Sequence, residues 1–419
     1  MGAILASWLA VCVLCSGSVS AESDAIDALI IKRMRDHGIT GLSLAIIDDG
    51  KIVEAKGFGF TDKSCQTPVT PSTLFQAGSI SKAVAAVGAL RLVQDGRLSL
   101  DTNVNVYLRA WKVPENQFTE QQPVTLRRIL SHTAGFTVHG FRGYETNEPV
   151  PTVLQVLDGA SPASNSPIRV NVVPGTKWRY SGGGYTVMQQ MIIEVTGKPF
   201  PEFMRETVLK PLAMTNSGYE QPLPQTRTSL AASGYLANGE AVVGGWRVHP
   251  EMAAAGLWTT PSDLARFALG LQQALAGDSK AVLSAATTRL MLANEKHGDG
   301  LGVFVDGSGP TLRFSHGGRN AGFDSFMVAY ASLGKGVVVM MNANDNSGTS
   351  RAIANAVAKQ YGWSRGISLF PPAWKRDEFI NAYPNVVRGV VLLLCGFVMA
   401  AVFGSRKIVQ RRRRVTEVA

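Results

Sequence analysis

The sequence predicts an α+β protein whose antiparallel sheet is built from both ends of the domain and flanked by helices, with a mostly helical middle and one C-terminal transmembrane helix. Three observations carry this. Leu42, Leu44 and Ile46 alternate with Ser43 and Ala45; Asp48-Asp49-Gly50-Lys51 then breaks the run and Ile52-Val53 resumes it, the pattern of a hairpin turned at Asp-Gly. Far along the chain, Ser325 to Tyr330 and Gly336 to Met341 form a second strand pair around Leu333-Gly334, with a helix from about Thr349 to Tyr361 expected to pack on it. Between these ends lies a long stretch of helical pattern and irregular loop. It includes Thr260-Pro261-Ser262-Asp263, a helix start with proline at its first position.

Composition narrows the class. The 419 residues allow two or three domains, or one large α+β body with an insertion. Hydrophobic residues at 45% against 17% charged exclude a disordered, solvating chain. About half of the net charge of +10 lies after Ser405, where Arg406, Lys407, Arg411, Arg412, Arg413 and Arg414 face one acid, Glu417, and the body is only mildly basic. No stretch of the body interleaves Lys or Arg with stacking aromatics, so nucleic acid is not an expected partner.

Both ends read as membrane addresses. Ala3 to Leu14 is almost entirely apolar and is followed by small residues up to Ala21, the pattern of a secretory signal over residues 1–21. The n-region lacks Lys and Arg, which leaves an uncleaved anchor as the alternative. Gly389 to Ser405 carries no charge and, at about 1.5 Å per residue, just reaches the lower limit for crossing a bilayer. The expected layout is a body over 22–365, a linker over 366–385, a transmembrane helix over 386–405 and a basic cytoplasmic tail over 406–419. The arginine block then places the body on the periplasmic side of a cell inner membrane, crossed once. Cys12 and Cys15 fall in the signal and Cys395 in the span, so Cys65 stands alone in the body and no disulfide forms there.

Three motifs carry chemistry. Phe75-Gln76-Ala77-Gly78-Ser79-Ile80-Ser81-Lys82 opens an apolar helix that runs to Asp95-Gly96. One turn separates Ser79 from Lys82, so both can occupy one face at a helix amino terminus, where N–H groups and the dipole favour an anion. A serine hydroxyl needs a base to become a nucleophile, and a lysine among apolar side chains loses its proton readily enough to serve. By itself the spacing fits equally a capping serine and a solvated lysine. The second motif, Tyr180-Ser181-Gly182-Gly183-Gly184, places a phenol beside a glycine run that leads into a helix. Alone it fits a core tyrosine as well. The third, His316-Gly317-Gly318-Arg319, leads into a strand, and paired glycines on an edge strand present N–H groups to a substrate. A lone histidine there is also compatible with a structural role. His37, His132, His139, His249, His297 and His316 show no metal-ligand spacing, and no metal or other cofactor is expected.

Taken in order, Ser79-x-x-Lys82, Tyr180-Ser181-Gly182 and His316-Gly317-Gly318 resemble the motifs of the serine β-lactamase-like hydrolases, which include class C β-lactamases, D-alanyl-D-alanine carboxypeptidases, D-aminopeptidases and esterases. Leu130-Ser131-His132-Thr133-Ala134-Gly135-Phe136 and the run Ala254 to Leu264 support the likeness, which covers about Ala25 to Trp363. The resemblance implies that Ser79 is acylated, that Lys82 is its base partner and that Tyr180 relays a proton with the leaving group. It also implies an oxyanion hole from the backbone N–H groups of Ser79 and Arg319. Two departures stand out: Gly182 replaces an asparagine, and His316 replaces a lysine, of the class C enzymes. Both shift the expectation from β-lactamase toward peptidase or esterase. Arg319 either supplies the missing positive charge or is solvated.

Thr137 to Val173, rich in proline and aromatic residues, is expected to form the rim that selects substrate. The expectation is an exported, membrane-anchored serine hydrolase acting through a covalent acyl-enzyme, a D-residue-directed peptidase or carboxypeptidase on cell-wall or secreted peptides; an esterase, a β-lactamase, or a silent cell-wall binding or sensing protein are the alternatives.

Overall fold

The computed structural model describes residues 25–64 and 67–363. The signal, linker, apolar run and basic tail lie outside these residues, as does Cys65. No helix among the described residues is long and apolar enough to cross a membrane.

In chain order the elements are a helix over residues 25–36 (α1), β1 Gly41–Asp48, β2 Lys51–Gly59, β3 Phe75–Gln76, α2 Ile80–Gln94, α3 Leu126–Leu130, α4 Val153–Asp158, α5 Gly182–Thr196, α6 Phe200–Met204, α7 Met252–Ala255, β4 Trp258–Thr259, α8 Pro261–Leu275, α9 Ala285–Met291, β5 Phe304–Asp306, β6 Arg313–Asn320, β7 Phe323–Tyr330, β8 Gly336–Met341 and α10 Thr349–Gln360. The large sheet runs β2-β1-β8-β7-β6-β5, with every neighbour antiparallel. A first strand pair and a last strand group are thus joined at β1–β8, as the sequence predicts.

The β1–β2 turn has both central residues, Asp49 at φ 50° and Gly50 at φ 69°, in the left-handed region that a two-residue type I′ hairpin requires. β1 is buried on both faces, which is why its alternation sets large apolar residues against small ones rather than against polar ones. Leu42, Leu44 and Ile46 face α1 and α10 with Ile30, Ile353 and Val357. Ala45 and Ile47 face the opposite layer, where Met327, Val338 and Met340 meet α2 and α8. α8 begins as expected: Pro261 sits in its first turn and the Thr260 hydroxyl accepts the Asp263 amide at 3.2 Å.

Two boundaries differ from the sequence reading. Phe75-Gln76 is a short strand paired with Trp258-Thr259, so the helix starts only at Ile80. The His316 segment is itself a strand; its neighbours in the sheet override the weak strand preference of two glycines. α2 is buried at every position from Ile80 to Leu90, so it threads the middle of the core and shows no amphipathic stripe.

Candidate active site

Ser79 is the amino-terminal cap of α2 and is half-buried. The turn before it is fixed by Ala77 N–H donating to Leu257 O at 2.9 Å and by the Ser81 hydroxyl, which donates to Gly78 O at 2.5 Å and accepts Leu257 N–H at 3.0 Å. One turn into the helix, the Lys82 ammonium donates to Ser79 Oγ at 3.0 Å and to Ala254 O at 2.8 Å. It lies 5.0 Å and 5.7 Å from the ring centres of Tyr180 and Tyr185. Lys82 is 2% exposed, and burial pushes its pKa down to about 7. At neutral pH a large share of Lys82 is therefore the free amine, able to accept the serine proton.

Tyr180 comes from the segment preceding α5. It is buried, and its hydroxyl is hydrogen-bonded to Ser79. Burial pushes the phenol above its usual range while the Ser79 bond works in the other direction, so at neutral pH the phenol keeps its proton. Hydroxyl, amine and phenol, drawn from two separate parts of the chain, converge at one helix end.

β6 supplies the third side. Gly78, at φ 52°, and Gly318 are where α2's start and β6 touch: a Cβ on Gly318 would stand 1.9 Å from Ala77 O, and one on Gly78 would stand 2.5 Å from the Arg319 nitrogen. Only glycines allow this approach. β6 and β7 join through the two-residue Ala321-Gly322 turn, with Asn320 opposite Phe323. In such a hairpin the closing pair exchanges hydrogen bonds and alternate residues do so behind it. Asn320, Gly318 and His316 therefore bond toward β7, whereas Arg319 and Gly317 turn their amides to the other edge. β5 covers that edge only from Arg313 to Ser315, which leaves the Arg319 and Gly317 amides uncovered by it, the Arg319 nitrogen lying against the turn that carries Ser79.

The His316 ring is buried, with Nδ1 2.7 Å from Gly317 O and its plane tilted over Phe304 at 5.1 Å between centroids. The Arg319 side chain is 53% exposed, in keeping with the solvated alternative, and is engaged within the protein instead of being held out toward a substrate carboxylate. Its guanidinium grips Asp324 through two bonds of 2.7 and 2.6 Å and also donates to Asp345 O at 2.5 Å and Asn346 Oδ1 at 3.0 Å. Such a bidentate pair is geometrically complete and leaves the cation to the β6–β7 turn. Gly182, which stands in place of the class C asparagine, is the first residue of α5. A Cβ there would stand 3.0 Å from the Phe141 ring and 3.1 Å from His139 O, so the rim segment has folded into the space.

Sequence reasoning missed several supports. Ala254 O, the second acceptor for Lys82, comes from a helix 172 residues away. Asn320 bridges Gln76 Oε1 at 2.9 Å and Ala255 O at 3.1 Å, tying β6 to β3 and α7. His132 packs on Tyr180. The phrases Leu130 to Phe136 and Ala254 to Leu264 were the visible signal, but without partners they assigned no role. Among the described residues no cluster of three His, Cys, Asp or Glu side chains could hold a metal ion.

This fold and this convergence define an active-site-serine protein of the acyl-transfer type. The chain matches the family described as Beta-lactamase over residues 26–361, and it belongs to that family, whose fold is that of serine hydrolases. PbpX of Bacillus subtilis (strain 168), named as a candidate penicillin-binding protein, is 25% identical over 335 residues, covering 77% of this chain and 75% of the relative. Several further relatives are longer, and the chain spans only 45% of their length. Among solved structures, D-alanine carboxypeptidase AmpC from Burkholderia cenocepacia is similar at a TM-score of 0.64 with 19% identity, covering 82% of this chain and 99% of that one. The D-amino acid amidase from Ochrobactrum anthropi SV3 is similar at 0.62 with 23% identity, covering 82% and 98%. At these identities the structures share the fold.

Proposed function

We propose that the protein is an exported, membrane-anchored hydrolase that works through a covalent acyl-enzyme on Ser79, acting as a peptidase or amidase on small cell-wall or secreted peptides containing D-residues. The observation that carries the reading is the 3.0 Å contact between Ser79 Oγ and a lysine whose pKa is lowered to about 7. The free amine of Lys82 takes the hydroxyl proton as Oγ bonds to the acyl carbon. The Ser79 and Arg319 N–H groups receive the developing oxyanion. Tyr180 passes its proton to the departing nitrogen or oxygen as that bond breaks and regains one from Lys82; water, deprotonated by the same pair, then releases the acid.

The engagement of Arg319 by Asp324 favours amides and internal peptide bonds over substrates that present a free carboxylate beside the scissile bond. The domain layout expected from the sequence, with the apolar run as anchor, supports a site facing the cell wall. Labelling with a fluorophosphonate should place the adduct on Ser79, and a panel of D-amino-acid anilides, p-nitrophenyl esters and a chromogenic cephalosporin should show sustained turnover of an anilide that Ser79→Ala abolishes. An adduct elsewhere defeats the nucleophile; turnover confined to the esters moves the assignment to an esterase.

A further inference from the structure

Tyr180 is held on both sides by one residue. His132 O accepts the Arg179 amide at 2.7 Å, and His132 Nδ1 accepts the Ser181 amide at 3.1 Å. The two neighbours of the phenol thus hang from the same histidine. Its ring lies 4.2 Å from the Tyr180 ring between centroids, inclined by 35°. Trp178, bonded through Nε1 to the buried Asp299, meets the ring edge-on at 6.2 Å.

The backbone marks the same residue. His132 sits at φ 55°, a left-handed conformation that costs a non-glycine residue on the order of 1 kcal/mol and persists where the surroundings over-determine it. Accepting at Nδ1 leaves the ring proton on Nε2. Burial, then the nearby Lys82, His316 and His139, hold the ring well below its usual pKa and therefore neutral. A protonated ring would have no lone pair for the Ser181 amide.

We infer that His132 is the positioning residue of Tyr180: by binding the amides on either side and packing on the ring, it fixes where the phenol meets Ser79, without touching the reacting atoms. The inference rests on the serine mechanism proposed above and deepens it. A histidine that merely caps the loop after α3 would affect stability without acting through the phenol.

The test is a double-mutant cycle on the full chain with a D-amino-acid p-nitroanilide, whose departing nitrogen requires a proton, thermal melting recorded for each variant. His132→Gly removes ring and acceptor while tolerating the left-handed backbone. It should lower kcat by about 100-fold with KM within about threefold. His132→Asn restores an acceptor at the place of Nδ1 and also tolerates that backbone, and should return kcat to within about fivefold of the native enzyme. In a Tyr180→Phe background the glycine change should cost less than about threefold more. Equal losses in both backgrounds, or asparagine no better than glycine, overturn the inference. Where the glycine variant does not fold, His132→Asn is set against His132→Gln, whose acceptor is displaced by one carbon; glutamine should be slower by at least about tenfold, and equal rates overturn the inference. Fluorophosphonate labelling run in parallel separates the two claims: a chain that fails to label at Ser79 loses the hydrolase reading, whereas labelled Ser79 with equal losses removes only the role of His132.

Discussion

Lys82 is where pH acts on this molecule. With its pKa near 7, kcat/KM for a turned-over ester should climb through that pH as the amine loses its proton, and Tyr180, shifted upward, adds no fall until strongly alkaline conditions. Lys82→Met should remove the climb and at least about 10³-fold of the rate. The same substitution should stabilise the fold. Below pH 7 lysine is charged in both the folded and unfolded states and the full burial penalty is present. Between 7 and 10.5 the unfolded chain holds a proton that the folded one lacks, so native stability rises with pH and the advantage of methionine fades. A thermal melt at pH 6 should show a gain of at least about 1 kcal/mol for Lys82→Met, shrinking by pH 10; a loss at pH 6 would contradict the buried amine. The Ser79–Lys82 pair was legible because one helical turn is written in the sequence. Its carbonyl partner at Ala254 was not, because a backbone oxygen leaves no trace in residue identity.

Among the elements, the contact of α2's start with β6 decides catalytic geometry. Gly318→Ala must push β6 away from Ala77, since the added carbon would lie 1.9 Å from that oxygen. The Arg319 amide would move with the strand. We expect kcat to fall by about 100-fold, KM to change little, and stability to drop by about 1–3 kcal/mol from overpacking. Steady-state kinetics and urea melts check this; an unchanged kcat would remove Arg319 N–H from the oxyanion hole. The glycines could be read from the sequence as an edge-strand device, but the partner they approach could not. Likewise the arginine was visible, while its capture by Asp324 depends on a hairpin register set by the two-residue Ala321-Gly322 turn. The glycine run after Tyr180, expected to lead into a helix, is itself the first turn of α5, held by the Ser181 hydroxyl accepting the Gly184 amide at 3.1 Å.

For the molecule as a whole, the sheet joins the beginning and the end of the domain, and α10 covers that joint. Ile353, Ala354, Val357 and Ala358 are fully buried against it. Their burial is worth about 5 kcal/mol, comparable to the whole stability of an ordinary domain. A chain ending at Ser347 should therefore fail to show a cooperative melt, whereas one ending at Trp363 should melt as the longer protein does and retain its turnover. The fold class was legible because two hairpin patterns flanked a helical middle. The order of strands was not, since nothing local says that β1 lies between β2 and β8.

That placement reaches back to the ribosome. Ser79 emerges early in synthesis, but β8, beside which β1 must lie, emerges more than two hundred and fifty residues later, after β6 and its amides. A nascent polypeptide therefore carries its nucleophile without the pocket that activates it. Hydrolysis waits until almost the entire domain has been translated, because the strand that seats β1 and the amides of β6 are among the last parts to be made.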